Sequence, residues 1–175
     1  MALTGTIRPF GLRDIKLTNI GGTLQVDLPQ ARTLTVKERL VSGELHGDDA
    51  VQAVVTFNDA IEWELEAGGI SLEAYALMTG RTVALTGTTP NQINTLTVNA
   101  GDAYPYFKVY GKSLGDGIDD VHVKLNKVKL NKPIEGQFRD GEFYVTKCGG
   151  IGVDPGAGNT MEIVQNETAA PLPTA

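Results

Sequence analysis

Cysteine is almost missing from this chain: Cys148 is the only one in 175 residues. A lone thiol excludes an intramolecular disulfide framework and every Cys-x-x-Cys redox or metal spacing. Histidine is equally scarce. His46 and His122 form no His-x-x-x-His pair, so a transition-metal site has no local support. Aromatic residues make up 6% of the chain, thin for a surface that stacks sugars or bases. No apolar run approaches the ~18 residues of a membrane-spanning helix. The first residues, Met1 to Arg8, lack the basic-then-apolar order of a secretion signal. These features point to synthesis and folding inside the cell, where the Asn166-Glu167-Thr168 sequon meets no glycosylating enzyme. Positive charge is short as well. The net charge of −6 argues against a grip on nucleic acid built on phosphate neutralisation.

What remains is 41% hydrophobic and 21% charged, enough for one folded domain at this length. Most of the sequence alternates with period two and is cut by Gly, Asn and Asp, the pattern of antiparallel strands with one buried face. Strands are expected over 10–18, 23–28, 32–41, 51–57, 60–66, 81–86, 94–99, 106–112, 120–130, 142–147 and 161–165. One segment departs from this pattern. Ser71 can cap a helix over about 71–79, Glu73 suits its first turn, Ile70 can staple onto Tyr75, and Gly80 suits the left-handed residue that ends it. Leu72, Tyr75, Ala76 and Met78 would then cover part of a sheet. A helix of ~14 Å is too short to cover every apolar strand face. Sheet therefore packs on sheet, or some faces and edges wait for another subunit. The expected organisation is a β-domain over 10–167 with arms at 1–9 and 168–175, the latter carrying Pro171 and Pro173.

The distribution of charge is the most unusual feature. From Leu40 through Gly80 there is no Lys or Arg, while Glu44, Asp48, Asp49, Asp59, Glu62, Glu64, Glu66 and Glu73 give a local charge of −8. Alternation puts Ile61, Trp63 and Leu65 on one face of a strand and Glu62, Glu64 and Glu66 on the other, facing water. An ordinary solvated strand explains such a row, and so does a surface meant to repel a polyanion. Lys108, Lys112, Lys124, Lys127, Lys129 and Lys132 follow, with Tyr104, Tyr106 and Tyr110 at the start. His122 and Lys124 alternate with Val121, Val123 and Leu125 as on the wet side of a strand. Acidic and basic regions on one subunit can also meet each other in its copies.

No catalytic signature emerges. There is no Gly-x-Ser-x-Gly elbow, and Cys148 before Gly149-Gly150 reads as a buried thiol at a strand end. Gly115-Asp116-Gly117-Ile118-Asp119-Asp120 lacks the acidic spacing of a calcium loop and reads as a tight turn. Glu62 and Glu64 lie side by side rather than across a cleft. Gly149 to Gly152 and Gly156-Ala157-Gly158 lack the strand-to-helix context and the Lys of a phosphate loop. The expectation is a protein that is not an enzyme and calls for no cofactor or metal.

Several stretches resemble the major tail tube proteins of long-tailed, siphophage-type bacteriophages. They are Phe10-Gly11-Leu12-Arg13-Asp14-Ile15-Lys16-Leu17, Val26 to Leu34, Glu44-Leu45-His46-Gly47-Asp48-Asp49, Trp63 to Ala74, Thr86 to Asn91, Pro105 to Lys112, Glu135 to Phe138 and Val164 to Thr168. The block from Trp63 to Ala74 is the most specific, because it joins the acidic strand directly to the capped helix. The resemblance implies an antiparallel β-sandwich that forms a barrel with its copies. Six subunits would make a ring, and rings would stack into a tube carrying phage DNA from capsid to host. Four strands per subunit would close an inner barrel of about 24 strands, which leaves a bore near ~38 Å. It also implies a virion-tail location after synthesis in the host cytoplasm, with tail tip, tape measure and tail terminator proteins as partners and no membrane. DNA would pass without specific binding. Asp59, Glu62, Glu64 and Glu66 are the candidate lumen-facing acids. Gly43, Glu44, Gly47, Asp48 and Asp49, in a connection over 42–50, are the candidate inter-ring loop. Other readings stay open: a β-sandwich binding or decoration module, a tube subunit of a contractile tail or gene-transfer particle, and a hydrolase with dispersed residues.

Overall fold

The computed structural model describes residues 6–28, 30–47 and 50–173. Among them the elements run β1 (Phe10–Asn19), β2 (Gln25–Asp27), β3 (Ala31–Gly47), β4 (Ala50–Gly68), α1 (Leu72–Thr79), β5 (Val83–Thr86) and β6 (Ile93–Leu96). Then come β7 (Phe107–Leu114), β8 (Asp120–Leu130), β9 (Val145–Gly152) and β10 (Met161–Asn166). The protein is mainly β with one short helix, as the alternation predicts. Strands β2-β1-β7-β8-β9-β4-β3 form one continuous sheet, β10 adds to β8, and β5 pairs only with β6.

Strand β8 is the corner. Its first part, Asp120 to Leu125, pairs with β10, and its end, Val128 to Leu130, pairs with β9. A register shift against β7 sits at the same place. Bending there lets one sheet act as both layers, because β3 comes back alongside β1 without joining it by a ladder. The rows turned inward supply the core: Ile15 and Leu17 from β1, Ile61, Trp63 and Leu65 from β4, Phe107 and Val109 from β7, and Leu125, Val128 and Leu130 from β8. Trp63 meets Phe107 edge to face at 5.7 Å. Gly150 lies opposite Trp63, and a Cβ there would stand 2.0 Å from the Lys129 carbonyl oxygen, so only glycine lets β8 and β9 approach.

Helix α1 closes one end of this core. The Ser71 side chain accepts the Ala74 N–H, and Gly80 takes a left-handed φ of 72° with its N–H on the Ala76 carbonyl. The face it buries is not quite the expected one. Ala74, Leu77 and Met78 go inward, whereas Leu72, Tyr75 and Ala76 are half-buried and Ile70 stays exposed.

Other expectations change with the structure, and His122, read as lying on the wet side of its strand, is buried at 3% exposure. Segments 51–57 and 60–66 are one strand: Asn58 and Asp59, which look like turn residues, form a bulge where Arg39 pairs with Ala60 and Leu40 with Asn58. The connection expected over 42–50 is not a loop on its described residues, because Ser42 to Gly47 continue β3 in ladder with Ala50 to Thr56; Asp48 and Asp49 lie outside the described residues. Of the expected arms, 1–5 and 174–175 lie outside the described residues. Residues 169–173 are packed on their own chain, with Leu172 only 2% exposed.

Candidate functional site

The acidic row is where alternation places it. Glu62 and Glu64 are exposed and Glu66 is half-buried on the outer side of β4, while Ile61, Trp63 and Leu65 fill the core. Each carboxylate, however, has lysines from other elements around it. Lys132, just beyond β8, is bonded to Glu64, and Lys147 of β9 lies 2.6 Å from Glu66. Lys37 is the direct cross-strand neighbour of Glu62, and Lys129 opposes Ile151, the residue on the far side of Glu62. The hydrogen bond and charge of Lys132 hold the Glu64 carboxyl below the usual carboxylate range. Asp59 is taken too, by the Arg39 guanidinium. Glu64, Glu66 and Asp59 are therefore ion-paired and Glu62 stands next to Lys37, so the face is a mosaic of both charges rather than a bare acidic stripe. No local pattern near residue 64 announces Lys132, which is 68 residues away in sequence.

Beyond this face β3 and β4 run on as a two-stranded ribbon. Val41 is paired with Phe57, Gly43 with Val55 and Leu45 with Ala53, so these side chains share one side. Val41, Leu45, Val55 and Phe57 are all large, apolar and between 41% and 64% exposed. The other side carries Ser42, Thr56, Glu44 and His46, with His46 3.2 Å from Glu44, and beside them the exposed Leu40, Val51 and Val54. About eight residue pairs at ~3.4 Å each make the ribbon roughly 27 Å long. Strand β3 also ends the path of the sheet, with no ladder on its far side among the described residues. Gly43, Glu44 and Gly47, expected in a loop, thus lie on an exposed ribbon with apolar side chains on both sides and an open edge.

A third feature lies at the opposite end of the chain. The fully buried Asp120 carboxylate accepts the Ala170 N–H at 2.8 Å and the Asn166 side-chain amide at 2.6 Å, with Lys112 and His122 each 3.1 Å away. Burial alone would push this carboxyl up. Together these partners outweigh it and hold the group down at about 2. Lys112 also bonds the Ala170 carbonyl, and the Ala169 N–H bonds Ile118. The segment after β10 is in this way strapped to β7 and β8.

The residues considered for chemistry take structural places. Cys148 is buried inside β9 against the Met78 sulfur, and burial pushes its thiol up to about 12. Residues 115–119 form the tight turn between β7 and β8, closed by the Gly115 N–H on the Asp119 carbonyl. Tyr106 lies under the ammonium groups of Lys127 and Lys129, at 5.1 and 5.2 Å. Among the described residues no three His, Cys, Asp or Glu side chains gather where they could hold a metal ion, and no helix is long and apolar enough to cross a membrane. No known protein-family model matches the chain, and no curated protein is similar to it at a significant level.

Proposed function

We propose that the chain is a structural virion protein, the major tail tube subunit of a long-tailed bacteriophage, which assembles as stacked hexameric rings. One observation carries the reading: the ribbon of β3 and β4, whose large apolar side chains are bare in the single subunit. Two-stranded hairpins are marginal in water by themselves, and each half-exposed Val, Leu or Phe withholds about 1 kcal/mol that only a covering surface releases. The open edge of β3 offers a ladder to a neighbour in the same step. A ring closed through such edges leaves none of them free.

The charge mosaic on the outer face of β4 and β9 supports a conduit, with a mechanism different from plain repulsion. A lysine already bonded to a glutamate must give up that partner before it can neutralise a phosphate and free the counterions of the DNA, so a passing phosphate gains little. If this face lines the bore, DNA slides over paired charges and finds no basic groove to hold it. Tape measure, tail tip and terminator proteins would then be the other partners, and the virion tail its place.

Negative-stain electron microscopy of the concentrated full chain tests the reading. Six-fold rings or hollow tubes of uniform width are the expected result. A monomer, or a small closed oligomer with no central bore, would favour a binding or decoration module instead.

A further inference from the structure

We infer that Phe143 is a knob that enters the apolar cleft between β1 and β3 of a second copy of this chain, making a head-to-tail contact outside the ribbon. The inference rests on the tube reading only for the ring that such contacts would build.

The cleft exists because the core is open on one side. The inward row formed by Ile15, Gly111, Val123 and Ile163 runs from fully buried at Ile15 to 63% exposed at Ile163. Where β3 passes β1 without a ladder, Leu12, Leu34, Val36, Val121 and Val123 line a cleft of about 360 Å³ with Arg32 at its edge. Nothing among the described residues fills it.

The knob is presented by an ordered loop. Its base is fixed by two backbone hydrogen bonds between Glu135 and Lys147, of 2.7 and 2.8 Å. Its tip is a turn in which the Glu142 N–H bonds the Arg139 carbonyl and Gly141 has a φ of 76°. Phe138 leans on Tyr144 at 4.6 Å, but Phe143 is 99% exposed. A phenylalanine has roughly 150 Å² or more to bury, and this loop exposes two, Phe138 at 82% and Phe143 at 99%, an apolar patch suited to a receiving surface.

The second copy is chosen by charge. Around the knob stand Glu135, Asp140 and Glu142 against Arg139 and Lys147, and Lys147 is already drawn to Glu66, which leaves the rim acidic. Arg32 and Lys112 line the cleft; Lys112 is engaged by Asp120, whereas Arg32 has no ion-pair partner among the described residues. An acidic rim around an apolar knob fits a basic rim around an apolar cleft. A knob and cleft on different surfaces of one molecule produce a head-to-tail contact, which closes as a ring or runs on as a filament.

The test mixes two full-length variants, Gln137→Cys beside the knob and Thr33→Cys at the cleft, which leave Phe143 and the apolar lining in place, and adds a short bismaleimide. Cys148 is buried and serves as the silent control in the parent protein. The contact predicts cross-linked dimers from the mixture and not from either variant alone, and a fall of about 30-fold in the self-association constant for Phe143→Ser. Mixed cross-links without rings or tubes would keep the contact and overturn the tube reading. Rings or tubes without mixed cross-links, and unchanged by Phe143→Ser, would overturn the contact and keep the tube. No cross-links and no self-association would overturn both.

Discussion

The ammonium of Lys147 lies 2.6 Å from the Glu66 carboxylate on the adjacent strand, and Lys132 reaches Glu64 in the same way. Both pairs reach solvent, although Glu66 is half-buried, so their weight is in surface charge more than in stability. Replacing Glu62, Glu64 and Glu66 together by Gln frees the lysines of this face without adding repulsion. The parent protein should not retard duplex DNA in a gel. The triple variant should do so at 50 mM salt, and three phosphate contacts imply a loss of ~40-fold in affinity by 200 mM. Equal behaviour of the two proteins would mean that the pairing does not mask the lysines.

Acid should loosen the C-terminal strap before it unfolds a variant that lacks the key carboxylate. Asp120 is held at about 2 in the folded chain, below its ordinary value of 3.8. Its stabilisation is present above the unfolded value and is lost as pH falls through the folded one. Urea midpoints should therefore drop between about pH 4 and pH 2 in the parent. Asp120→Asn should flatten that part of the profile, cost about 3 kcal/mol at neutral pH, and speed amide exchange over residues 169–173.

Two glycines should respond in opposite ways to one added methyl group. At Gly150 the methyl meets the Lys129 backbone at 2.0 Å, whereas at Gly43 nothing lies within 4 Å. Gly150→Ala should cost about 3 kcal/mol or more, and Gly43→Ala less than about 0.5 kcal/mol, by thermal melting of the unassembled protein. Trp63, the only tryptophan, is 1% exposed, so its red-shifting fluorescence reports both melts.

Local chemistry made much of the fold legible. Ser71 and Gly80 bracket the helix because capping is a property of a few consecutive residues, and Trp63 and Glu62 take opposite faces because a strand has period two. Boundaries failed where a local signal competed with a long ladder. Asn58-Asp59 has turn chemistry, yet sixteen cross-strand pairs of β3 with β4 hold it as a bulge. The candidate site was legible in half. Alternation sets out the glutamates, but only the topology brings Lys132 and Lys147 to them. The strap of 169–173 was hidden for the same reason, since Asp120 meets Ala170 through a fold that no periodicity encodes.

The central claim is that the bare apolar side chains of the ribbon drive assembly. Sedimentation velocity of the full chain from ~10 μM to ~1 mM, beside Val41→Ser/Val55→Ser/Phe57→Ser, measures it most directly, over the range in which contacts of a few kcal/mol become populated. The account predicts that the parent shifts to hexamers or larger particles and the triple variant stays monomeric with an unchanged melting profile. A parent that stays monomeric throughout, or a triple variant that assembles equally well, would contradict it.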